Sequence, residues 1–314
     1  MNEFRGLGGV AGDLPLELRD LPWAPGENFL GLPAEHTDFG RARVAILPVP
    51  YEATVSYVPG TRFGPRGLLH ASRYLEVYDH ALDAEPYAVG IHTLPALELS
   101  GAGPKEALDE LRDACDTLIG TGKFVIMLGG EHSVSAPPIL AHADRLGERP
   151  LSVLQLDAHA DLRAEYEGTP LSHACVMYRV RQHVNLVPVG IRSVTAEERR
   201  LIRDEHIPVI FGHELEGDAW IDRAVAALGP DVYVTIDVDY FDPAIVPSTG
   251  TPEPGGGGWY PTLRLLERVF RERNVVGCDV VELAPIPGNV AADFLAAKLV
   301  YKLIGFFQAA SRAA

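Results

Sequence analysis

Short apolar runs that recur between amphipathic stretches constrain this chain more than any other feature of its sequence. Residues 44–47, 124–128, 152–156, 186–189, 207–211, 232–236 and 275–281 are brief and rich in Val, Ile, Leu and Phe, which marks them as buried strands. Pro188 and Pro208 weaken the fourth and fifth runs, because proline donates nothing to a sheet ladder. Between the runs lie segments with helical spacing. Residues 104–120 place Ala107, Leu108, Leu111, Ala114 and Leu118 on one face. Residues 195–205 open with Thr195 and Glu198 in capping-box positions, 261–273 begin at Pro261, and 291–312 close the chain. Strands alternating with helices specify a parallel sheet covered on both faces. The expectation is therefore an α/β protein, three layers in the order α/β/α, with a mostly parallel sheet of about eight strands.

Residues 41–314 read as one domain, because the alternation runs through them without an internal repeat or linker. Residues 1–40 lack periodicity and are punctuated by Pro15, Pro22, Pro25 and Pro33, so they read as an N-terminal arm packed on the body or on a neighbouring subunit. Gly6, Gly8 and Gly9 follow no strand, which argues against a dinucleotide-binding turn.

The net charge of −16 repels nucleic acid and an anionic membrane surface, and it suits a cation or a small cationic substrate. Cys115, Cys175 and Cys278 lie far apart, which speaks against a disulfide framework and against a thiolate zinc site. No apolar run reaches the roughly 18 residues of a membrane span. The start Met1-Asn2-Glu3-Phe4-Arg5 has no charged-then-apolar signal pattern, so a cytoplasmic protein is expected.

Three polar clusters each follow a strand, where open parallel sheets build their sites. They are Gly129-Gly130-Glu131-His132-Ser133, Asp157-Ala158-His159-Ala160-Asp161 and Asp237-Val238-Asp239. In extended chain, positions two apart face the same way, so Asp157, His159 and Asp161 can converge, as can Asp237 and Asp239. Four such carboxylates would repel one another and take up protons unless cations balance them. Two divalent ions would do so. Oxygen donors without cysteine favour manganese over a structural zinc. A lone His132 or Asp237 would more often be a cap or a core hydrogen-bonding residue. Asp-x-His-x-Asp and Asp-x-Asp after separate strands, with a histidine after a third, point to a metal centre.

With these clusters in view, the chain resembles the ureohydrolases, the family of arginase and agmatinase. The likeness spans roughly residues 40–310. It is carried by the three clusters, with the last extended to Asp237-Val238-Asp239-Tyr240-Phe241-Asp242-Pro243. Pro59-Gly60-Thr61-Arg62-Phe63-Gly64-Pro65 and Thr249-Gly250-Thr251-Pro252 add to it. The resemblance implies a two-manganese centre held by His132, Asp157, His159, Asp161, Asp237 and Asp239. It further implies His173 as a proton shuttle, Glu282 as the residue that holds a guanidinium, and a homo-oligomer, trimer or hexamer. Ala160 and Ala174 depart from the family's usual threonine and glycine, which touches the local backbone at 174 and no ligand.

The expected reaction is manganese-dependent hydrolysis of agmatine to putrescine and urea. Guanidinobutyrate hydrolysis, another guanidino-acid hydrolase or a formiminoglutamate hydrolase are alternatives on the same scaffold. A deacetylase relative or a non-enzymatic metal-binding protein fits the residues less well. The segment Glu165-Tyr166-Glu167-Gly168 resembles agmatinases, and an acidic loop suits a substrate that ends in an ammonium. Arg163 would instead suit a carboxylate end. The remaining histidines outside the clusters, such as His36, His70, His142, His183, His206 and His213, read as structural or surface residues.

Overall fold

The computed structural model describes residues 27–313, so residues 1–26 of the expected arm lie outside the described residues. Eight strands form a single sheet: β1 Val44–Val49, β2 Ile91–Thr93, β3 Phe124–Gly129, β4 Leu151–Leu156, β5 Val184–Ile191, β6 Ile210–Phe211, β7 Asp231–Asp237 and β8 Asn274–Val281. Their order is β2-β1-β3-β8-β7-β4-β5-β6, and every pairing is parallel, where a mostly parallel sheet was expected. The helices are α1 Ala34–Thr37, α2 Gly64–Ser72, α3 Pro104–Ile119, α4 Ala136–Leu146, α5 Val176–Val180, α6 Ala196–Asp204, α7 Ala219–Ala227, α8 Trp259–Glu272 and α9 Ala291–Ala313.

Each expected strand is present, with two adjustments and one addition. The run at 207–211 pairs only at Ile210–Phe211, because Pro208 cannot donate to a ladder. Pro188 is accommodated within β5, which pairs with β6 only from Val189 onward and so has no partner on that side at the proline. The edge strand β2 carries no apolar run long enough to announce it. At the helices, Thr195 forms the capping box as read: its Oγ1 accepts from Glu198 N at 3.2 Å, and Thr195 N donates to Glu198 Oε2 at 2.8 Å. Helix α8 starts at Trp259, which leaves Pro261 in the first turn rather than at its first position. Its missing N–H is still harmless there, because first-turn amides have no partner within a helix.

The inner strands β1, β3, β4 and β7 are buried along their whole length. Helix α8 turns Leu265, Leu266, Val269 and Phe270 inward, and each such side chain stabilises the fold by about 1.5–3 kcal/mol. Helix α9 is long and apolar enough to cross a membrane by composition, yet most of it is buried within this fold. Leu299, Val300, Leu303 and Ile304 are fully covered, and Lys302 pairs at 2.7 Å with Asp79. In the described part of the arm, Phe29, Leu30 and Leu32 join the core, and Leu30 N donates to Ser72 Oγ at 2.9 Å.

Candidate metal centre

The carboxyl ends of four adjacent strands, β3, β8, β7 and β4, bring the polar clusters together. Gly130 makes the first approach possible. A Cβ there would stand 1.9 Å from Tyr51 O, so only glycine lets the chain after β3 cross the loop after β1. His132 then opens a 3-10 turn with its imidazole fully buried. Asp157 follows β4, and Asp237 is the last residue of β7. Asp161 reaches the cluster from a left-handed backbone, φ 52°, a conformation that aspartate tolerates better than most residues.

The donors fall into two overlapping sets. His132 Nδ1 lies 3.1 Å from Asp157 Oδ2, 3.0 Å from Asp161 Oδ2 and 3.4 Å from Asp237 Oδ2. His159 Nδ1 lies 2.8 Å from Asp239 Oδ2 and 3.8 Å from Asp157 Oδ1. Asp157 belongs to both sets, as a carboxylate bridging two cations would.

The state of His132 shows what the first set is made for. Thr235 Oγ1 donates to Asp279 Oδ1 at 2.6 Å, so it accepts from His132 Nε2–H at 2.9 Å. Nδ1 is thus the ring atom turned to the cluster, buried and facing three carboxylate oxygens. Lone pairs aimed at one point need positive charge there. The residues present therefore fit a divalent cation, with the Thr235–Asp279 pair fixing the ring as outer partners of metal-binding histidines do. Tyr233 OH donates to the other Asp279 oxygen at 2.9 Å.

Without metal the cluster retains protons instead. Burial, then Asp161 and Asp239, push Asp157 up to about 7. Burial lowers the His159 value, but Asp239 outweighs it and lifts that ring to about 11.

Arg192 stitches the carrying loops in place. Its guanidinium donates to Asp239 O at 2.7 Å, Glu253 O at 2.9 Å, Gly190 O at 3.1 Å and Pro254 O at 3.1 Å. Gln155 Nε2 donates to Asp157 Oδ2 at 2.8 Å, and Ala158 N donates to Asp239 Oδ1 at 3.0 Å.

A cavity of about 230 Å³ opens beside the cluster. His159 and Asp161 line it together with His173, Arg163, Tyr166, Ser56, Val194 and Thr251. His173 sits in a 3-10 turn, with Nδ1 3.3 Å from Thr54 Oγ1 and Nε2 3.5 Å from Ser56 Oγ. That turn runs into right-handed backbone at Val176, and Ala174 is accommodated within it at a negative φ in place of glycine. Glu282 follows β8 at φ 63°, an unusual strain for a glutamate, and its Oε1 accepts from His132 N at 2.7 Å. Burial holds its carboxyl well above the usual range. Glu282 is buried beside Gly250, where an added Cβ would stand 3.9 Å from its Oε2. In the acidic loop after β4, Glu165 and Glu167 are exposed and off the wall, whereas Arg163 and Tyr166 form it, with Arg163 Cζ 4.7 Å from the Tyr166 ring centre.

The pattern of the Arginase family matches residues 42–305, all of the sheet and both donor sets. The chain belongs to the arginase family. It is 41% identical over 284 residues to the N(1)-aminopropylagmatine ureohydrolase of Synechocystis, covering 88% of this chain and 92% of that one. It is 35% identical over 280 residues to the agmatinase of Pyrococcus horikoshii, covering 85% and 93%. The crystal structure of agmatine ureohydrolase of Thermoplasma volcanium superposes with a TM-score of 0.83 at 28% identity, covering 95% of this chain and 99% of that one. This arginase-family chain is thus a ureohydrolase, a hydrolase acting on guanidino compounds, from a family of binuclear metal enzymes.

Within that family framework the sequence reading left several site residues unmarked. Asp279 had a signal, a charge inside the apolar run 275–281. Thr54 and Ser56 had none, since a loop after β1 gives no hint that it will close over a turn after β4. Glu131 stands in the first cluster beside His132, and its sequence position alone gives it no role.

Proposed function

We propose that this chain is a two-manganese amidinohydrolase that releases urea from agmatine or its N1-aminopropyl derivative. The observation that carries the reading is the shared cavity wall: His159 and Asp161 of the donor sets and the imidazole of His173 face the same space. A guanidinium carbon is a poor electrophile, so its hydrolysis needs hydroxide at the metal end and a proton for the departing amine at the other.

His132, Asp157, Asp161 and Asp237 would hold one ion, and Asp157, His159 and Asp239 the second. Bound there, the ions supply hydroxide at neutral pH by lowering the pKa of water. The protein supplies the rest. The carboxylate of Glu282 would pair with the guanidinium and keep its plane fixed. His173, at the cavity wall, would give its proton to the leaving nitrogen, which departs as a neutral amine and is then free to take up a proton from solvent. Agmatine would leave putrescine, and the aminopropyl derivative would leave the corresponding triamine.

Relatives named N(1)-aminopropylagmatine ureohydrolase, at 41% and at 34% identity, favour the longer substrate, and agmatinases at 34–36% favour agmatine. Arg163 on the wall favours a carboxylate-bearing guanidino acid such as guanidinobutyrate. Urea release with manganese present decides among them, comparing kcat/KM for agmatine, N1-aminopropylagmatine, arginine and guanidinobutyrate. The proposal expects one of the two amines to lead. A lead for arginine or guanidinobutyrate overturns it. A homo-oligomer, trimer or hexamer, belongs to the same proposal, and light scattering on the eluting protein tests it.

A further inference from the structure

Glu131 is fully buried and acts as an acceptor on every side. Ala53 N and Thr54 N each donate to its Oε2 at 2.6 Å. Thr54 Oγ1 donates to Oε1 at 2.7 Å, and Ser133 Oγ donates to the same oxygen at 2.5 Å. A threonine hydroxyl has one hydrogen, and here it is committed to Glu131. Toward His173, Thr54 Oγ1 can therefore only accept. It does so from His173 N at 3.0 Å, and it lies 3.3 Å from His173 Nδ1. Ser172 Oγ is the other neighbour of Nδ1, also at 3.3 Å.

We propose that Thr54, oriented by Glu131, is a positioning residue that holds His173 with its Nδ1 proton turned into the protein and its Nε2 turned to the cavity. The inference rests on the reading of His173 as the proton donor. One oxygen of Thr54 engages both the backbone and the ring of the same residue, so it fixes the turn and the imidazole together. With Nδ1–H directed at Thr54, the neutral ring offers Nε2 as the atom that gains a proton and passes it on. Ser56, 3.5 Å from Nε2, stands on that open side. Glu131 thereby links the segment that carries His132 to the segment that carries His173. The turn after β3 sets both the metal end and the proton end of the site.

The test compares Thr54→Val, Thr54→Ser, His173→Ala and the double variant Thr54→Val/His173→Ala, all loaded with manganese. Valine keeps the shape of threonine and removes only the oxygen. The expected result is a fall in kcat of roughly tenfold or more for Thr54→Val. KM should stay within about twofold and metal content should match wild type, with a lowered melting temperature because Glu131 loses one buried donor. Thr54→Ser should recover most of the turnover lost in the valine variant, because it restores the acceptor. In the His173→Ala background, adding Thr54→Val should cause no further loss. Wild-type turnover in Thr54→Val, or an equal loss on both backgrounds, overturns the positioning role while leaving His173 as proton donor. Wild-type turnover in His173→Ala overturns the underlying reading instead.

Discussion

His159 Nδ1 stands 2.8 Å from Asp239 Oδ2, so a histidine from the segment after β4 meets a carboxylate from the segment after β7. Asp157, two residues before His159, contributes one oxygen toward His159 and the other toward His132. The two donor sets are thus linked by one carboxylate, and they are unequal in what each variant removes.

That inequality predicts a difference in metal stoichiometry. His159→Ala should lose one manganese ion per chain and keep the other, because the set around His132 survives. Asp157→Ala should weaken both ions, because it belongs to both sets. Metal analysis after equilibration in manganese and desalting reads this directly. Two ions retained in Asp157→Ala, or full urea release by metal-stripped protein, would show that the donor assignment is wrong.

His173→Ala should reduce turnover by about 10²–10⁴-fold, the usual range for loss of a positioned acid, while both ions stay bound. The ring lies beside Thr54, Ser56, Ser172 and Tyr166, and among the described residues none of its hydrogen bonds goes to a donor of either set. If the variant loses an ion, His173 is a ligand and not a proton donor.

The substrate's far end should meet Tyr166 rather than the acidic residues beside it. Tyr166→Ala should raise KM for the preferred amine by roughly tenfold with a smaller change in kcat. Glu165→Gln and Glu167→Gln should leave kcat/KM within about twofold of wild type, since both side chains are exposed and off the cavity wall. A large loss in either glutamine variant would restore the acidic-loop account.

Stability should depend on the buried Asp79–Lys302 pair. Burial by itself would raise the Asp79 carboxyl. The hydrogen bond and charge of Lys302, with the Leu82 N–H, outweigh burial and hold it below its ordinary value. A carboxyl with a depressed folded value adds stability above its unfolded pKa, about 3.9, and that stability is lost as pH falls through the folded value. Lys302→Met should destabilise the protein by about 3–5 kcal/mol at neutral pH, because it leaves a buried charge unpaired. Adding Asp79→Asn should recover part of that loss. Melting curves across acid pH for the three proteins check both the size and the sign.

Much of the architecture was readable along the chain because its signals are local. A buried strand announces itself by a short Val- and Ile-rich run, and the capping box at Thr195 needs only four consecutive residues. Strand β2 was missed because three residues at an edge carry too little apolar pattern. The candidate donors were readable for the same local reason: alternating Asp and His after an apolar run is rare without a cation to balance them.

The chain by itself determined which residue types stand at the ends of β3, β4 and β7, since each cluster is contiguous with its strand. Only the tertiary structure decided how those ends combine. The order β3-β8-β7-β4 places His132 against Asp157, Asp161 and Asp237, and sends His159 to Asp239 instead. It also brings the Thr54 loop against His173, moves Glu165 and Glu167 off the cavity, and sets Asp279 behind Thr235. These are contacts between segments far apart in sequence, and strand order, which no local pattern encodes, is what makes them neighbours.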